Sequence, residues 1–303
     1  MEAIIDVFTQ NIIPILLVAA IGYWLRRQLG VPARPVSSVV FNVFSPALVF
    51  VSLVNSELPP GELLGLLAFA VITILVMGGL AALVGSALRL PRADVITLLL
   101  VVMFVNGGNY GLTLNRLRYG EDGLSRAVVY FVVSTMFVYT LGVFIASMGR
   151  SSIRGALVRL ARVPTIYAVA LAIVVYALRI PMPGPIMSTL EIVADGAIPT
   201  MLVVLGMNMA AIDGVASWRL ALPAVSLRLL VAPLLAMVVA GLLGLQGLSY
   251  STSIIEASMP TAVITSVIAT EYEVQPPIVT SIVVLTTLLS PITLAMTITL
   301  LGL

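Results

Sequence analysis

The feature that most constrains this chain is a series of apolar runs, each about 20 residues long, joined by short polar connections. A helix of about 20 apolar residues crosses the roughly 30 Å hydrocarbon layer of a bilayer. Turn residues and charges divide the chain into ten such runs, near residues 10–29, 36–54, 63–88, 95–115, 126–148, 164–180, 186–209, 219–243, 250–270 and 277–301. The sequence therefore predicts an all-α integral membrane protein with ten transmembrane helices.

Composition agrees with lipid as the solvent and excludes several classes of protein. Only 9% of the 303 residues are charged, against about 25% in an ordinary soluble domain. The basic residues are all arginine and lie in short connections, so no nucleic-acid partner is expected. The chain has no Cys and no His, which removes the usual zinc ligands and thiol chemistry. We expect no metal and no cofactor.

Other membrane functions are disfavoured by what the chain lacks. A phosphate-binding G-x-x-x-x-G-K-[ST] loop is missing, as is any Lys, which argues against an ATP-driven pump. An intramembrane enzyme would need a nucleophile with a base, or a metal, and no paired Asp motif occurs. The connections are too short to form a receptor's signalling domain. We expect a transporter and not an enzyme.

The arginines predict the orientation of the helices. Connections on one side hold ten arginines and those on the other hold four, while Arg228 falls within the eighth run. Because cytoplasmic connections carry the excess of positive charge, we expect both termini outside a cytoplasmic membrane.

The chain also matches itself. A shift of 153 residues pairs residues that are hard to match by chance, namely Tyr23 with Tyr176, Pro46 with Pro199, Asn55 with Asn208 and Tyr119 with Tyr272. We interpret this as two five-helix repeats, residues 1–150 and 151–303. Five is an odd number, so the second repeat enters the membrane from the opposite side and the repeats are inverted.

Two of the runs are predicted to be broken helices. The fourth contains Asn106-Gly107-Gly108-Asn109-Tyr110-Gly111, and each interior Gly costs about 1 kcal/mol of helix propensity. The ninth contains Met259-Pro260-Thr261, and an interior Pro costs about 3 kcal/mol. The shift of 153 carries Gly107 onto Pro260. Breaks at matching places in inverted repeats are the strongest sequence indication of a transporter's binding site.

The expected ligand of this crossing is an anion. Half-helices beginning at Asn109 and Thr261 would direct backbone N–H groups and positive dipole ends at the midplane, and the Asn106 and Asn109 amides could donate further bonds. A small organic carboxylate fits such a site. Substrate-binding candidates are Asn106, Gly107, Gly108, Asn109, Met259, Pro260 and Thr261. The alternative is that the glycines only allow close packing and the proline only kinks a helix.

Three further polar residues are candidates for coupling transport to H+ or Na+. Asn42 and Asp195 are related by the 153 shift, and Glu256 lies one turn before Pro260. Ionisable groups within membrane spans are functional candidates by default. Glu256 could instead simply neutralise Arg228 of the neighbouring run.

Taken together, several motifs resemble a known family. They are Phe41-Asn42-Val43-Phe44-Ser45-Pro46, Asn106-Gly107-Gly108-Asn109-Tyr110-Gly111-Leu112, Ala197-Ile198-Pro199, and Met259-Pro260-Thr261-Ala262 with Ala269-Thr270-Glu271-Tyr272. The chain resembles the auxin efflux carrier family, most closely bacterial members of which some are described as malate permeases.

The resemblance implies the bile-acid-symporter and sodium-proton-antiporter type of fold, elevator-like alternating access, organic-anion substrates and a homodimer. It also implies that Asn106 and Pro260 contact the substrate carboxylate and that the stretch from Ser45 to Val49 lines the site. Thr113 stands where many relatives have a proline, so the first break would depend on glycine. An auxin substrate is not implied. The leading hypothesis is a secondary transporter of a small organic carboxylate, and the alternative is a sodium- or proton-coupled cation antiporter on the same fold.

Overall fold

The computed structural model describes residues 8–56, 58–147, 153–210, 214–300 and 302. Their regular structure is helical, apart from one bridge between two extended segments. We number the helices α1 (Phe8–Leu29), α2 (Ala33–Val54), α3 (Pro60–Ala87), α4 (Arg92–Met103), α5 (Gly107–Ala146), α6 (Ile153–Leu160), α7 (Pro164–Leu178), α8 (Gly184–Met209), α9 (Trp218–Leu242), α10 (Gly247–Ala257), α11 (Ile264–Glu271) and α12 (Pro276–Leu300).

Seven of these helices are long and apolar enough to cross a membrane: α1, α2, α3, α5, α8, α9 and α12. Helix α5 is 40 residues long and bends at Gly120, whose φ of 65° and ψ of −153° are not helical. Helices α4, α10 and α11 have 12, 11 and 8 residues, too few to span a bilayer alone. The prediction of an all-helical, multi-pass membrane protein is confirmed. The arrangement into ten spans stays a prediction.

Proline explains two places where helices widen into π-type turns. Such turns occupy Val40–Phe44 in α2 and Ser226–Val231 in α9, and they lie just before Pro46 and Pro233. Proline has no backbone N–H and its ring crowds the carbonyl four residues earlier. The backbone before each proline therefore loses one regular helical bond, and a wider turn accommodates the loss.

The helices pack chiefly in two groups. Helices α1, α2, α7 and α8 contact one another, as do α3, α4 and α9 to α12. Most contacts between the groups are made by α5, which lies against α2 and α8 on one side and against α3 and α10 on the other. Helix α5, which directly follows the first of the two breaks, therefore lies where the two groups meet.

Within the first group, α1 and α8 approach until backbone meets backbone. A Cβ atom added at Gly206 would lie 1.6 Å from the carbonyl oxygen of Ala19, and one added at Gly22 would lie 1.9 Å from that of Val203. Small residues permit such close approach between helices in lipid, where dispersion contacts replace the hydrophobic effect as the source of association. Glycine at these two positions therefore sets the spacing of α1 and α8.

Substituting Gly206→Ala should force the two helices apart. Overpacking of this kind costs about 1–3 kcal/mol, so the thermal unfolding midpoint in detergent should fall. The matched control is Gly79→Ala on α3, where an added Cβ meets no atom within 4 Å and helix propensity should improve slightly. Equal midpoints for the two variants would contradict the close approach of α1 and α8.

Candidate functional site: the crossing of two broken helices

The two predicted breaks lie against each other. Residues 104–106 separate α4 from α5, and residues 258–263 separate α10 from α11; we call these segments the crossing. They run antiparallel, with Val105 bridged to Thr261. The Asn106 N–H donates to the Pro260 carbonyl at 2.8 Å, and the Ala262 N–H donates to the Phe104 carbonyl at 2.9 Å. Each break thus supplies hydrogen-bond partners for backbone groups that the other break leaves unpaired.

The two hydrogen bonds are equivalent if residues of the two repeats are paired at a spacing of 156. This spacing pairs Phe104 with Pro260 and Asn106 with Ala262. The predicted equivalence of Gly107 with Pro260 under the shift of 153 does not hold here. The reason is the length of the breaks, which is three residues in the first and six in the second. An extended segment can vary in length without disturbing the pattern of the helices around it.

The half-helices begin at other residues than predicted. Helix α5 begins at Gly107 and not Asn109, and α11 begins at Ile264 and not Thr261. The Asn106 carbonyl accepts bonds from the N–H groups of Tyr110 and Gly111 at 3.3 and 3.1 Å, which draws the glycines into the first turn. Thr261 is held outside its helix, because its N–H donates to Thr286 Oγ1 at 3.2 Å and its Oγ1 donates to the Val101 carbonyl at 2.7 Å.

Asn106 is the predicted residue whose environment points most directly to a ligand. Only 4% of its surface is exposed, and its amide nitrogen Nδ2 has no hydrogen-bond partner among the described residues. Leaving a buried donor unpaired costs about 1–3 kcal/mol. Asn109, half-buried in the next turn, and Gly108, which lies against the Phe131 ring, complete the start of α5.

Two of the predicted glycines have a role that the sequence did not indicate. A Cβ added at Gly107 would lie 2.7 Å from Glu256 Oε2, and one added at Gly111 would lie within 2.4 to 2.7 Å of the same carboxyl group. Glu256 is 0% exposed. Its Oε1 accepts a hydrogen bond from Asn115 Nδ2 at 3.0 Å, and its Oε2 has no partner among the described residues. The glycine face of α5 thus makes room for a buried carboxyl group.

Arg228 binds the ends of the two helices that stop at the crossing. Its guanidinium donates to the carbonyl of Val102, near the end of α4, at 2.6 Å and to the carbonyl of Ala257, the last residue of α10. Helix C-termini carry partial negative charge and unpaired carbonyls. One buried cation therefore compensates both ends, which a forked guanidinium can do because its donors point in several directions.

Arg228 and Glu256 do not form an ion pair. Among the described residues, the ion pairs within 4.0 Å are Arg116–Glu121, Arg116–Asp195 and Arg126–Glu62. Arg228, 1% exposed, and Glu256 are also the only charged residues classed as buried in the described part of the chain. The alternative for this carboxylate, neutralisation of Arg228, therefore does not take the form of a direct ion pair.

The other predicted substrate-binding residues are all buried, three of them in the crossing and two in α2. Met259, Pro260 and Thr261 are buried in the crossing. Ser45 and Val49 of α2 are buried, and Val49 belongs to the same apolar cluster as Leu112 of α5.

The other two coupling candidates lie at the surface. Asn42 is exposed and donates to the Ser38 carbonyl and hydroxyl of its own helix at 2.8 and 3.2 Å. The Asp195 side chain is 71% exposed and pairs with Arg116. Neither contacts the crossing in the described structure.

Sequence reasoning did not select Asn115 or Gly111 as site residues. It also missed that Arg228 binds backbone carbonyls. One signal was present, because Gly107, Gly111 and Asn115 follow one another at intervals of four and so share one face of a helix. The partner across that face, Glu256, could not be read from the spacing. For Arg228 the partners are backbone carbonyls, which leave no trace in side-chain patterns.

A multi-pass helical protein in which two broken helices exchange hydrogen bonds and enclose buried polar groups has the construction of a membrane transporter. The membrane transport protein family matches residues 7–154 and 147–298 of the chain. The chain belongs to this family, which is the auxin efflux carrier family, and the resemblance noted in the sequence is confirmed. It is therefore a transporter and not an enzyme.

Two archaeal proteins are similar to the chain over nearly its whole length. An uncharacterized transporter of Methanothermobacter thermautotrophicus is 27% identical over 291 residues, which are 94% of this chain and 96% of that protein. An uncharacterized transporter of Methanocaldococcus jannaschii is 24% identical over 296 residues, 93% of this chain and 95% of that protein. Neither name specifies a substrate.

Replacing Arg228→Met should destabilise the protein, because the Val102 and Ala257 carbonyls would lose a buried donor at a cost of about 1–3 kcal/mol each. Arg228→Lys should lie between this variant and the parent, since an ammonium cannot reproduce the guanidinium fork. Thermal unfolding in detergent measures the effect. Arg219→Met, at an exposed position of the same helix, is the control, and an equal loss in both variants would contradict the role of Arg228.

Proposed function

We propose that the chain is a secondary transporter that moves a small organic carboxylate across the cytoplasmic membrane by elevator-like alternating access. The proposal takes the ten predicted spans as two inverted repeats, with α4, the crossing and α5 as far as Gly120 forming the fourth span. Helices α10 and α11 with their crossing segment form the ninth. The substrate site lies at the crossing and includes Asn106, Gly107, Gly108, Asn109, Met259, Pro260 and Thr261.

The observation that carries the proposal is the unpaired Asn106 amide. A nearly fully buried N–H2 group without a partner is costly in an apolar interior. It sits at the first residue before α5, where the helix dipole is positive. A ligand carboxylate would satisfy the amide and interact favourably with the dipole at the same time, whereas a cation would do neither.

Arg228 strengthens the case for an anion. The ends of helices that stop at the crossing comprise two C-termini, which attract cations, and two N-termini, which attract anions. Arg228 already compensates both C-termini through the Val102 and Ala257 carbonyls. The remaining ends are the N-termini of α5 and α11, which favour negative charge, and the carboxyl group of Glu256 lies beside the first of them.

The packing supports movement of one group of helices against the other. Helices α1, α2, α7 and α8 would form the scaffold, joined to the rest largely through α5. Ser45 and Val49 lie on the scaffold side of that boundary, where they would line the substrate's path. The proposal includes a homodimer, which the family resemblance implies, and both termini outside, which the distribution of arginine predicts.

Asn106→Ala should abolish carboxylate binding without unfolding the protein. The substitution removes no hydrogen bond donated by the amide nitrogen, because Nδ2 has no partner among the described residues, so the unliganded midpoint of thermal unfolding should stay equal or rise. A ligand that binds only the native state raises this midpoint, and the rise caused by malate, lactate or benzoate should vanish in the variant.

Asn55→Ala, at an exposed helix end, is the matched control and should keep the ligand-induced rise. An unchanged rise in Asn106→Ala would overturn the assignment of the site. Failure of every organic acid to stabilise the parent protein, with stabilisation by Na+ or K+ instead, would overturn the proposed substrate class.

The second candidate is a sodium- or proton-coupled cation antiporter, and the buried carboxyl group of Glu256 at the crossing is the observation that favours it. Proteoliposomes with a trapped pH dye distinguish the two functions. An antiporter alkalinises or acidifies the lumen when a Na+ or K+ gradient is imposed without any carboxylate. We expect no such change until a carboxylate is added.

A further inference from the structure

The buried part of the described chain holds one fixed positive and one fixed negative group. These are Arg228 and Glu256, on adjacent helices, and Arg228 binds the carbonyl of Ala257, the residue after Glu256. Their charges balance when Glu256 is ionised, although they make no direct ion pair. A buried region that gained one further negative charge would carry a large desolvation penalty.

Glu256 lies beside the proposed anion site. Its Oε2 is next to Gly107, the first residue of α5, and Oε1 accepts from Asn115 two turns further along the same face. Asn106, with its unpaired amide, immediately precedes Gly107. A substrate carboxylate bound at Asn106 and an ionised Glu256 would therefore be two like charges at the same end of one helix, an arrangement in which one of them takes a proton.

The groups that face Glu256 from neighbouring helices do not remove this conflict. Arg228 of α9 lies near but is committed to two carbonyls, and Tyr130 of α5 is within electrostatic range of both Arg228 and Glu256. Tyr110, also of α5, is buried in the first turn. Helix α3 supplies only Glu62, which binds Arg126 and Ser249 near the start of α10, and α12 has no ionisable residue.

We infer that Glu256 is the proton-coupling residue of this transporter, and that each substrate carboxylate binds together with one proton taken up by Glu256. The inference rests on the proposed function. In the ionised state Glu256 balances Arg228; when a carboxylate arrives, that carboxylate balances Arg228 and Glu256 becomes neutral. Asn115 can donate to Oε1 in both states, which leaves Oε2 as the atom that gains and loses the proton.

The cycle balances in atoms and charge. A proton from the side of entry bonds to Oε2, the carboxylate binds at Asn106, and after the conformational change both leave on the other side. The step forms and breaks only an O–H bond and needs no oxidant or reductant. Transport of a monocarboxylate is then electroneutral, and transport of a dicarboxylate moves one net negative charge.

Proton uptake on ligand binding tests the inference directly. Purified protein in weakly buffered detergent solution is mixed with neutralised malate, lactate or benzoate, and a pH dye reports the medium. With an acid that raises the thermal unfolding midpoint, the parent protein should take up about one proton per bound acid molecule above the midpoint of Glu256 titration, and its affinity should fall about tenfold per pH unit there.

Glu256→Gln imitates the protonated state. This variant should still bind the acid, with affinity that no longer depends on pH, and should take up no proton. Glu191→Gln, an exposed position of α8, should behave like the parent. In proteoliposomes Glu256→Gln should retain malate exchange and lose malate accumulation driven by a pH gradient.

Asn115→Ala tests whether Asn115 influences the protonation of Glu256 or only the packing of the helices. The amide stabilises the ionised carboxyl group by hydrogen bonding, so its removal should move the pH dependence of binding toward higher pH, whereas a merely structural Asn would leave the midpoint unchanged.

The outcomes distinguish the two proposals. If an acid binds to the parent protein without proton uptake, or if Glu256→Gln takes up as many protons as the parent, the coupling inference is overturned. The proposed carboxylate site is unaffected by either result. Binding of none of the acids contradicts the proposed function, and the coupling inference fails with it.

Discussion

The structure depends on how two interrupted helices satisfy their backbone in an apolar interior. Each break frees N–H and carbonyl groups that lipid cannot bind. Two hydrogen bonds exchanged between Asn106 and Pro260 and between Ala262 and Phe104 meet part of this demand. Thr261 and Thr286 meet more of it through their hydroxyl groups. The crossing is therefore a paired structure, in which each break supplies hydrogen-bond partners to the other.

Electrostatics follow from the same construction. Helices that stop in the interior present partial charges of both signs, and the chain supplies one buried cation to the negative ends. Arg228 reaches the Val102 and Ala257 carbonyls at once, and so links α4 and α10 as well as compensating them. What remains at the start of α5 is the positive end of the helix dipole, beside the unpaired amide of Asn106 and the carboxyl group of Glu256. That asymmetry is the physical basis of the proposed preference for anions.

Glycine serves a packing purpose at this site. Gly107 and Gly111 were expected to interrupt a helix, yet both lie within α5, and the interruption occurs at the three residues before them. Their missing side chains leave the space that Glu256 fills. Gly22 and Gly206 similarly set the distance between α1 and α8. Gly107 and Gly111 belong to a motif that the sequence analysis singled out, whereas Gly22 and Gly206 do not; at all four positions the reason for glycine is a neighbour remote in sequence.

The sequence by itself determined that lipid is the solvent, that the fold is helical, to which family the chain belongs, and which two apolar runs are broken. The family follows from short motifs, and the rest follows from local quantities: runs of apolar residues long enough for a bilayer, and the cost of Gly and Pro within a helix. Only the tertiary structure decided that Asn106 has a free amide, that Asn115 bonds to Glu256, and that Arg228 binds carbonyls and not Glu256. It also decided that Asn42 and Asp195, matched by the internal shift, lie exposed and away from the crossing. Contacts of this kind depend on which helix faces meet and how far each extended segment runs, and no periodicity along one chain encodes the partner across a helix interface.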